Sequence, residues 1–322
     1  MKLMLVGAGG IGGYLSGMLG NGGYDFTLVA RGATLEAIQK NGLTLSTPNK
    51  RIVLERVTCT DKPEEYGIQD AIIICTKGYG LDGALDMISP CVNDETLIIP
   101  MLNGVNAHKR IAKRLKTGVA LDGCIYVFSR VLEPGIIEQT GSINSVYMGI
   151  PGIAAKDSPK TLIELCKMLN SSGVNAQIPD DIEREMWIKW TFICSNAQAT
   201  SYFDVSVGEL REDPVKWEFL LALLDEILLV AAKEGIDLPA DLKEKNIEAF
   251  KNMAYESRSS LSRDLKDPKK PTELSLFAGE LVRLAQAHGP IAQASTPHQG
   301  QFVSVHPAVD PWTRPRRLLR PW

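Results

Sequence analysis

Gly7-Ala8-Gly9-Gly10-Ile11-Gly12 is a GxGxxG run directly after the apolar tetrapeptide Leu3-Met4-Leu5-Val6. Glycines at these intervals let a chain turn sharply off a strand, bring its backbone against a pyrophosphate and enter a helix packed close to that strand. The helix N-terminus then offers unpaired N–H groups and positive partial charge to the phosphates. The other bland possibility is a glycine-rich turn without a ligand, but the strand before and helix after favour the phosphate reading. A second strand ends at Leu28-Val29-Ala30-Arg31. NAD sites usually place a carboxylate there for the ribose hydroxyls, whereas the Arg31 guanidinium suits a 2′-phosphate, so NADP(H) is the expected cofactor.

Three further groups could do chemistry. Thr76-Lys77-Gly78-Tyr79 and Leu102-Asn103-Gly104-Val105 each follow an apolar run. Ligands bind at the carboxyl ends of strands in open α/β sheets, so Lys77 and Asn103 are candidates, against the plainer readings of a surface charge and a turn. Lys189 lies within Glu185-Met186-Trp187-Ile188-Lys189-Trp190-Thr191-Phe192. Among such neighbours a lysine either snorkels to water or is held at a polar site, where desolvation lowers its pKa and makes it a usable proton donor. The residues alone favour the snorkelling reading.

These residues need a scaffold. The first half alternates strand-like and helix-like runs: strands at 3–6, 26–30, 43–45, 52–58, 71–76, 97–101, 119–128 and 136–148, the last with a turn at Gly141-Ser142. Helical patterns fall at 11–19 and 34–41. That alternation predicts an α/β fold with a Rossmann-type doubly wound sheet over residues 1–179. From 180 to 289 the patterns are helical, at 182–200, 215–234, 242–256 and 274–287, giving a mainly helical C-terminal domain. From Pro290 to Trp322 there are six prolines, no Lys, no Glu and four clustered arginines, so a poorly ordered tail is expected there.

Composition narrows the function. The chain has 322 residues, 44% hydrophobic and 23% charged, which fits a globular protein of about two domains. With 35 basic and 38 acidic residues, the net charge of −3 gives no global drive towards nucleic acid or an anionic membrane. The six cysteines show no CxxC pair and the four histidines no HxxxH pair, so neither a disulfide framework nor a metal site is expected. Seven glycines between Gly7 and Gly20 argue against a signal peptide, and the apolar stretch Phe219–Ala232 is interrupted by Asp225 and Glu226. A cytoplasmic enzyme is expected. The Phe219–Ala232 face suits either a core or a homodimer interface.

Gly7 to Gly12, Arg31, Lys77, Leu102-Asn103-Gly104-Val105, Trp187-Ile188-Lys189, Ser259-Ser260-Leu261-Ser262-Arg263-Asp264 and Pro271-Thr272-Glu273-Leu274 occur in this order. Together they resemble the ketopantoate reductase (2-dehydropantoate 2-reductase) family, over residues 1 to about 289. The resemblance implies an active site in a cleft between a Rossmann domain and a helical domain. It also implies NADPH-dependent reduction of 2-dehydropantoate to (R)-pantoate, a step of pantothenate biosynthesis. Lys189 takes the catalytic position, bonding the C2 carbonyl oxygen and protonating the alkoxide. Glu273 takes the position that binds the substrate hydroxyl, and Ser260 the one near its carboxylate. Asn103 is implied at the nicotinamide side, where it helps position Lys189, and Lys77 near the cofactor. Four polar positions of the family differ: Ile193 and Ala197 on the Lys189 helix, Gly80 after Lys77, and Ser257 before the serine pair. The alternatives are a reductase of another 2-keto acid and a catalytically silent NADP-binding regulatory protein.

Overall fold

The computed structural model describes residues 1–267 and 271–288, so the tail expected from Pro290 lies outside the described residues. The chain divides into two compact units between Met186 and Trp187.

In the first unit the elements run β1 (Leu3–Val6), α1 (Gly10–Asn21), β2 (Thr27–Val29), α2 (Gly32–Asn41), β3 (Leu43–Ser46), β4 (Arg51–Leu54), β5 (Thr58–Thr60), β6 (Ala71–Ile74), α3 (Leu81–Ile88), β7 (Leu97–Pro100), α4 (Ala107–Arg114), β8 (Val119–Ala120), β9 (Asp122–Glu133), β10 (Ile136–Gly149), α5 (Lys160–Ser171) and β11 (Asn175–Gln177). Six strands form one sheet in the order β5-β2-β1-β6-β7-β8, every pairing parallel. Counted along the chain within that sheet, this is the Rossmann order 3-2-1-4-5-6. The order reverses between β1 and β6, so the crevice expected to take a ligand opens at their carboxyl ends. Every residue of β1, β6 and β7 is buried. That is why their sequences read as continuous apolar runs without alternation: both sheet faces are covered.

A second sheet departs from the simple doubly wound expectation. It is five-stranded, with order β11-β10-β3-β4 and β9 paired to β10. The run expected as one strand at 119–128 is two strands. β8 closes the parallel sheet beside β7, while β9 pairs antiparallel with β10. The turn expected at Gly141-Ser142 is a register shift in the β9–β10 pairing between Thr140 and Asn144, inside a continuous β10. Gly141 takes a positive φ of 71° there, as a bulge requires.

The second unit takes up the chain within α6 (Ile182–Tyr202) and continues through α7 (Val207–Glu212), α8 (Pro214–Lys233), α9 (Leu242–Asn252), α10 (Ser260–Asp264) and α11 (Ala278–Ala287). Ser206 opens α7 with a capping box: its side chain accepts from Glu209 N–H while the Glu209 carboxylate accepts from Ser206 N–H. Asp213 caps α8, with Pro214 in its first turn, where a missing N–H costs nothing. The apolar stripe of α8 (Leu220, Leu223, Leu224, Ile227, Val230, Ala231) is buried, so it serves as core within this unit. The helix expected over 274–287 is broken. A 3-10 turn covers Leu274–Leu276, and α11 begins after Phe277, whose φ of −106° and ψ of −90° interrupt the helix. Among the described residues no helix is long and apolar enough to cross a membrane.

Candidate active site

The glycine loop leaves β1 as the motif requires. Gly7 has φ +103°, and a Cβ there would sit 3.2 Å from the backbone of Cys75 and Thr76 at the end of β6. Only glycine allows both the conformation and the approach of the two strand ends. A Cβ on Gly12 would fall onto the Gly7 carbonyl oxygen, so α1 can lie this close to the loop only without a side chain. Gly10 has a different duty: its Cβ would meet the Ser129 carbonyl oxygen of β9 at 2.7 Å. Gly9 faces open space, with nothing within 4 Å of its Cβ. It is the N-cap of α1 and supplies no side-chain cap to the first-turn N–H groups. An open glycine at an uncapped helix start fits a pyrophosphate. Ala8 and Ile11 are half-buried on the rim of the core beneath the loop. Cys75, buried beneath this turn, has its thiol pushed up to about 12 by burial, so it serves as a neutral apolar wall.

Arg31 follows β2, next to β1, and is exposed. It is the N-cap of α2, and its guanidinium donates to Met87 Sδ at 3.4 Å. A thioether is a weak acceptor, so this contact holds the side chain without competing with a phosphate. Lys77 follows β6 as the N-cap of a 3-10 turn, Gly78–Gly80, with its side chain exposed. Asn103 follows β7 and is half-buried, and Gly104 beside it takes φ +101° to complete the turn. The topology thus brings the glycine loop, Arg31, Lys77 and Asn103 to the carboxyl ends of four adjacent strands, β2-β1-β6-β7. These residues fit an NADP(H) molecule: glycine backbone for the diphosphate and a guanidinium for the 2′-phosphate.

In the second unit α6 is the spine. Lys189 is 8% exposed, close to Trp187 and Trp190, whose rings meet edge to face with centroids 5.1 Å apart. A buried ammonium is costly unless it is solvated by protein groups; Lys189 and Glu273, which is also buried, each have a partner within the protein. Trp190 Nε1–H donates to the Leu276 carbonyl at 3.1 Å. Glu273 accepts the Leu276 N–H on its own carbonyl at 2.9 Å, so Glu273 sits one 3-10 turn from an anchor on the residue next to Lys189.

Ser260 is positioned from farther along the same helix. Ser259 caps α10, its Oγ accepting from Ser262 N–H at 3.0 Å, and lies 2.8 Å from Thr200 Oγ1. Thr200 in turn donates to the Asn196 carbonyl at 2.6 Å. Lys189 and Thr200 are about 16 Å apart along the axis at ~1.5 Å per residue. Lys189 and Glu273 therefore share one anchor, whereas Ser260 hangs from the other end of α6. The contacts of Trp190, Thr200 and Ser259 that fix these positions cannot be read from the sequence, because their partners are remote in the chain. Ile193 is half-buried and Ala197 buried, both on α6.

Family models match both halves of the chain: "Ketopantoate reductase PanE/ApbA" over residues 3–152 and "Ketopantoate reductase PanE/ApbA C terminal" over residues 181–294. The uncharacterized oxidoreductase YkpB of Bacillus subtilis is 28% identical over 293 residues, covering 89% of this chain and 92% of that one. The crystal structure of 2-dehydropantoate 2-reductase from Porphyromonas gingivalis is 30% identical with a TM-score of 0.75, covering 89% of this chain and 94% of that one. A D-mandelate dehydrogenase in complex with NADH and anilino(oxo)acetate shares the fold at a TM-score of 0.79 and 23% identity, covering 90% of this chain and 93% of that one. Matched over both halves, the chain belongs to the ketopantoate reductase family, a family of NADP-dependent oxidoreductases acting on a ketone or its alcohol.

Proposed function

We propose that this chain reduces 2-dehydropantoate to (R)-pantoate. The observation that carries the reading is the buried Lys189, held on α6 beside the Trp190 anchor of the Glu273 segment. The glycine loop would hold the diphosphate of NADPH and Arg31 its 2′-phosphate, and the bound cofactor would supply a hydride for C2. Lys189 hydrogen-bonds the C2 carbonyl oxygen and gives that oxygen a proton as negative charge develops on it. The ammonium binds the alkoxide-like transition state more strongly than the neutral ketone, which is the condition for raising kcat. Glu273 accepts a hydrogen bond from the substrate hydroxyl. Lys189, left neutral, regains its proton from water before the next turnover.

A second reading is favoured by Ile193 and Ala197, apolar where the family has amides. They suit a 2-keto acid with a larger apolar side chain. Following NADPH absorbance with 2-dehydropantoate and a panel of other 2-keto acids separates the two. The first reading requires the highest kcat/KM on 2-dehydropantoate. A higher value on another acid moves the assignment to that acid. Tight NADPH binding without turnover on any acid refutes the enzymatic reading.

A further inference from the structure

The geometry points to Arg110 as a positioning residue that sets the cofactor-side turn bearing Lys77. The inference rests on the reading that this turn meets NADPH. Arg110 lies on α4, the helix that follows the Asn103 turn. Its Nη1 donates to the Gly78 carbonyl at 3.0 Å, and its Nη2 to Asp82 Oδ1 at 2.8 Å. Gly78 is buried, the first residue of the 3-10 turn that Lys77 caps. Its carbonyl also accepts the Leu81 N–H, so both lone pairs are used, one by the turn itself and one by Arg110.

One turn further on, Arg114 makes a bidentate pair with Asp86, both bonds 2.6 Å. The spacing is four residues on each helix, so the two pairs form rungs of one ladder between α3 and α4. The rungs differ in what they reach. Arg114 and Asp86 are each about half exposed and join helix to helix, where such pairs contribute little. Only the Arg110 rung touches the turn backbone. Arg110 thereby ties α4, the helix that begins just beyond Asn103, to the turn that bears Lys77. A charge-assisted bond to a carbonyl that heads a 3-10 turn fixes the turn's tilt, and with it the direction of the Lys77 side chain.

The test is a double-mutant cycle read by fluorescence titration of NADPH binding, with thermal midpoints measured alongside. Arg110→Ala is expected to raise the NADPH Kd about tenfold, the loss of one charge-assisted positioning bond. Arg110→Lys, which keeps the charge but reaches one acceptor at a time, should fall between wild type and Ala. Arg114→Ala should leave both the Kd, within about twofold, and the thermal midpoint close to wild type. In a Lys77→Ala background, Arg110→Ala should add less than about twofold, because the two residues act as one unit. If Lys77→Ala weakens binding but Arg110→Ala remains fully additive, or if Arg114→Ala matches Arg110→Ala, the positioning role is overturned. If Lys77→Ala binds NADPH like wild type, the cofactor reading of the turn fails, and the role of Arg110 with it.

Discussion

Two glycines of the phosphate loop allow binding to be separated from folding. A methyl on Gly9 meets nothing within 4 Å, and its φ of −77° is open to alanine. As an N-cap, alanine is worse than glycine by up to about 1 kcal/mol, while the stiffer unfolded chain returns about 0.4–1 kcal/mol. The net stability change of Gly9→Ala is therefore near zero. The same methyl occupies the path by which a pyrophosphate meets the first-turn N–H groups of α1. Losing two hydrogen bonds to a charged group at about 1.5 kcal/mol each costs about 3 kcal/mol, a rise of roughly a hundredfold in NADPH Kd. Gly12→Ala behaves oppositely at the outset. Its Cβ collides with the Gly7 carbonyl oxygen and lies 3.1 Å from Cys75 Cβ, so helix and strand must separate. Overpacking of this kind costs about 1–3 kcal/mol, a fall of roughly 3–10 °C in Tm, with NADPH binding lost as well. Fluorescence titration and thermal melts on both variants provide the readout. A Gly9→Ala protein that binds NADPH with the wild-type Kd would refute the placement of the diphosphate over this loop.

Arg31→Ala should raise the Kd for NADPH by about 10- to 100-fold, the range of one charge-assisted bond to a phosphate, while moving that for NADH little; equal losses would remove Arg31 from the 2′-phosphate. Ser259→Ala removes the α10 cap and the Thr200 contact, so a loss of about 1 kcal/mol in stability is expected in thermal melts; an unchanged Tm would contradict the tie between α10 and α6. Burial pushes the Cys75 thiol up to about 12 and that of Cys59 up to about 11, and only Cys166 is half-buried. Native protein at pH 8 should therefore react with a thiol reagent at Cys166 alone, and mass spectrometry showing Cys75 modified without denaturant would contradict the packing beneath Gly7.

What the sequence disclosed was local. The glycine spacing, the strand before it and the Arg at the end of the next strand are short-range facts, and they led to the cofactor half of the site. Fully buried β1, β6 and β7 were legible because coverage on both faces leaves a continuous apolar run. The second sheet was not legible. Its strands β3, β10 and β11 are brought together by pairings such as Ser145 with Asn175, and β11 itself is only Asn175–Gln177. No period can be read in so short a segment. Helix α7 had a signal, the Ser206–Glu209 box at its start and Asp213-Pro214 at its end, but six residues are too few to show a helical period. Lys189 stood out among its aromatic neighbours, but its role came only through family likeness, because Trp190 reaches Leu276 across 86 residues and no spacing rule encodes that contact. The charge ladder from α3 to α4 lay in plain view as Asp82, Asp86, Arg110 and Arg114, four apart in each pair, but charges become a ladder only once the helices are placed.

The central claim is that Lys189 hands a proton to the oxygen of the ketone being reduced. The most direct test compares kcat of Lys189→Ala with wild type on the keto acid that the wild type turns over, with NADPH Kd measured on the same samples. A general acid of this kind contributes about 10²- to 10⁴-fold, so kcat should fall by that factor while the Kd stays within about twofold. A variant that retains wild-type kcat would contradict the account.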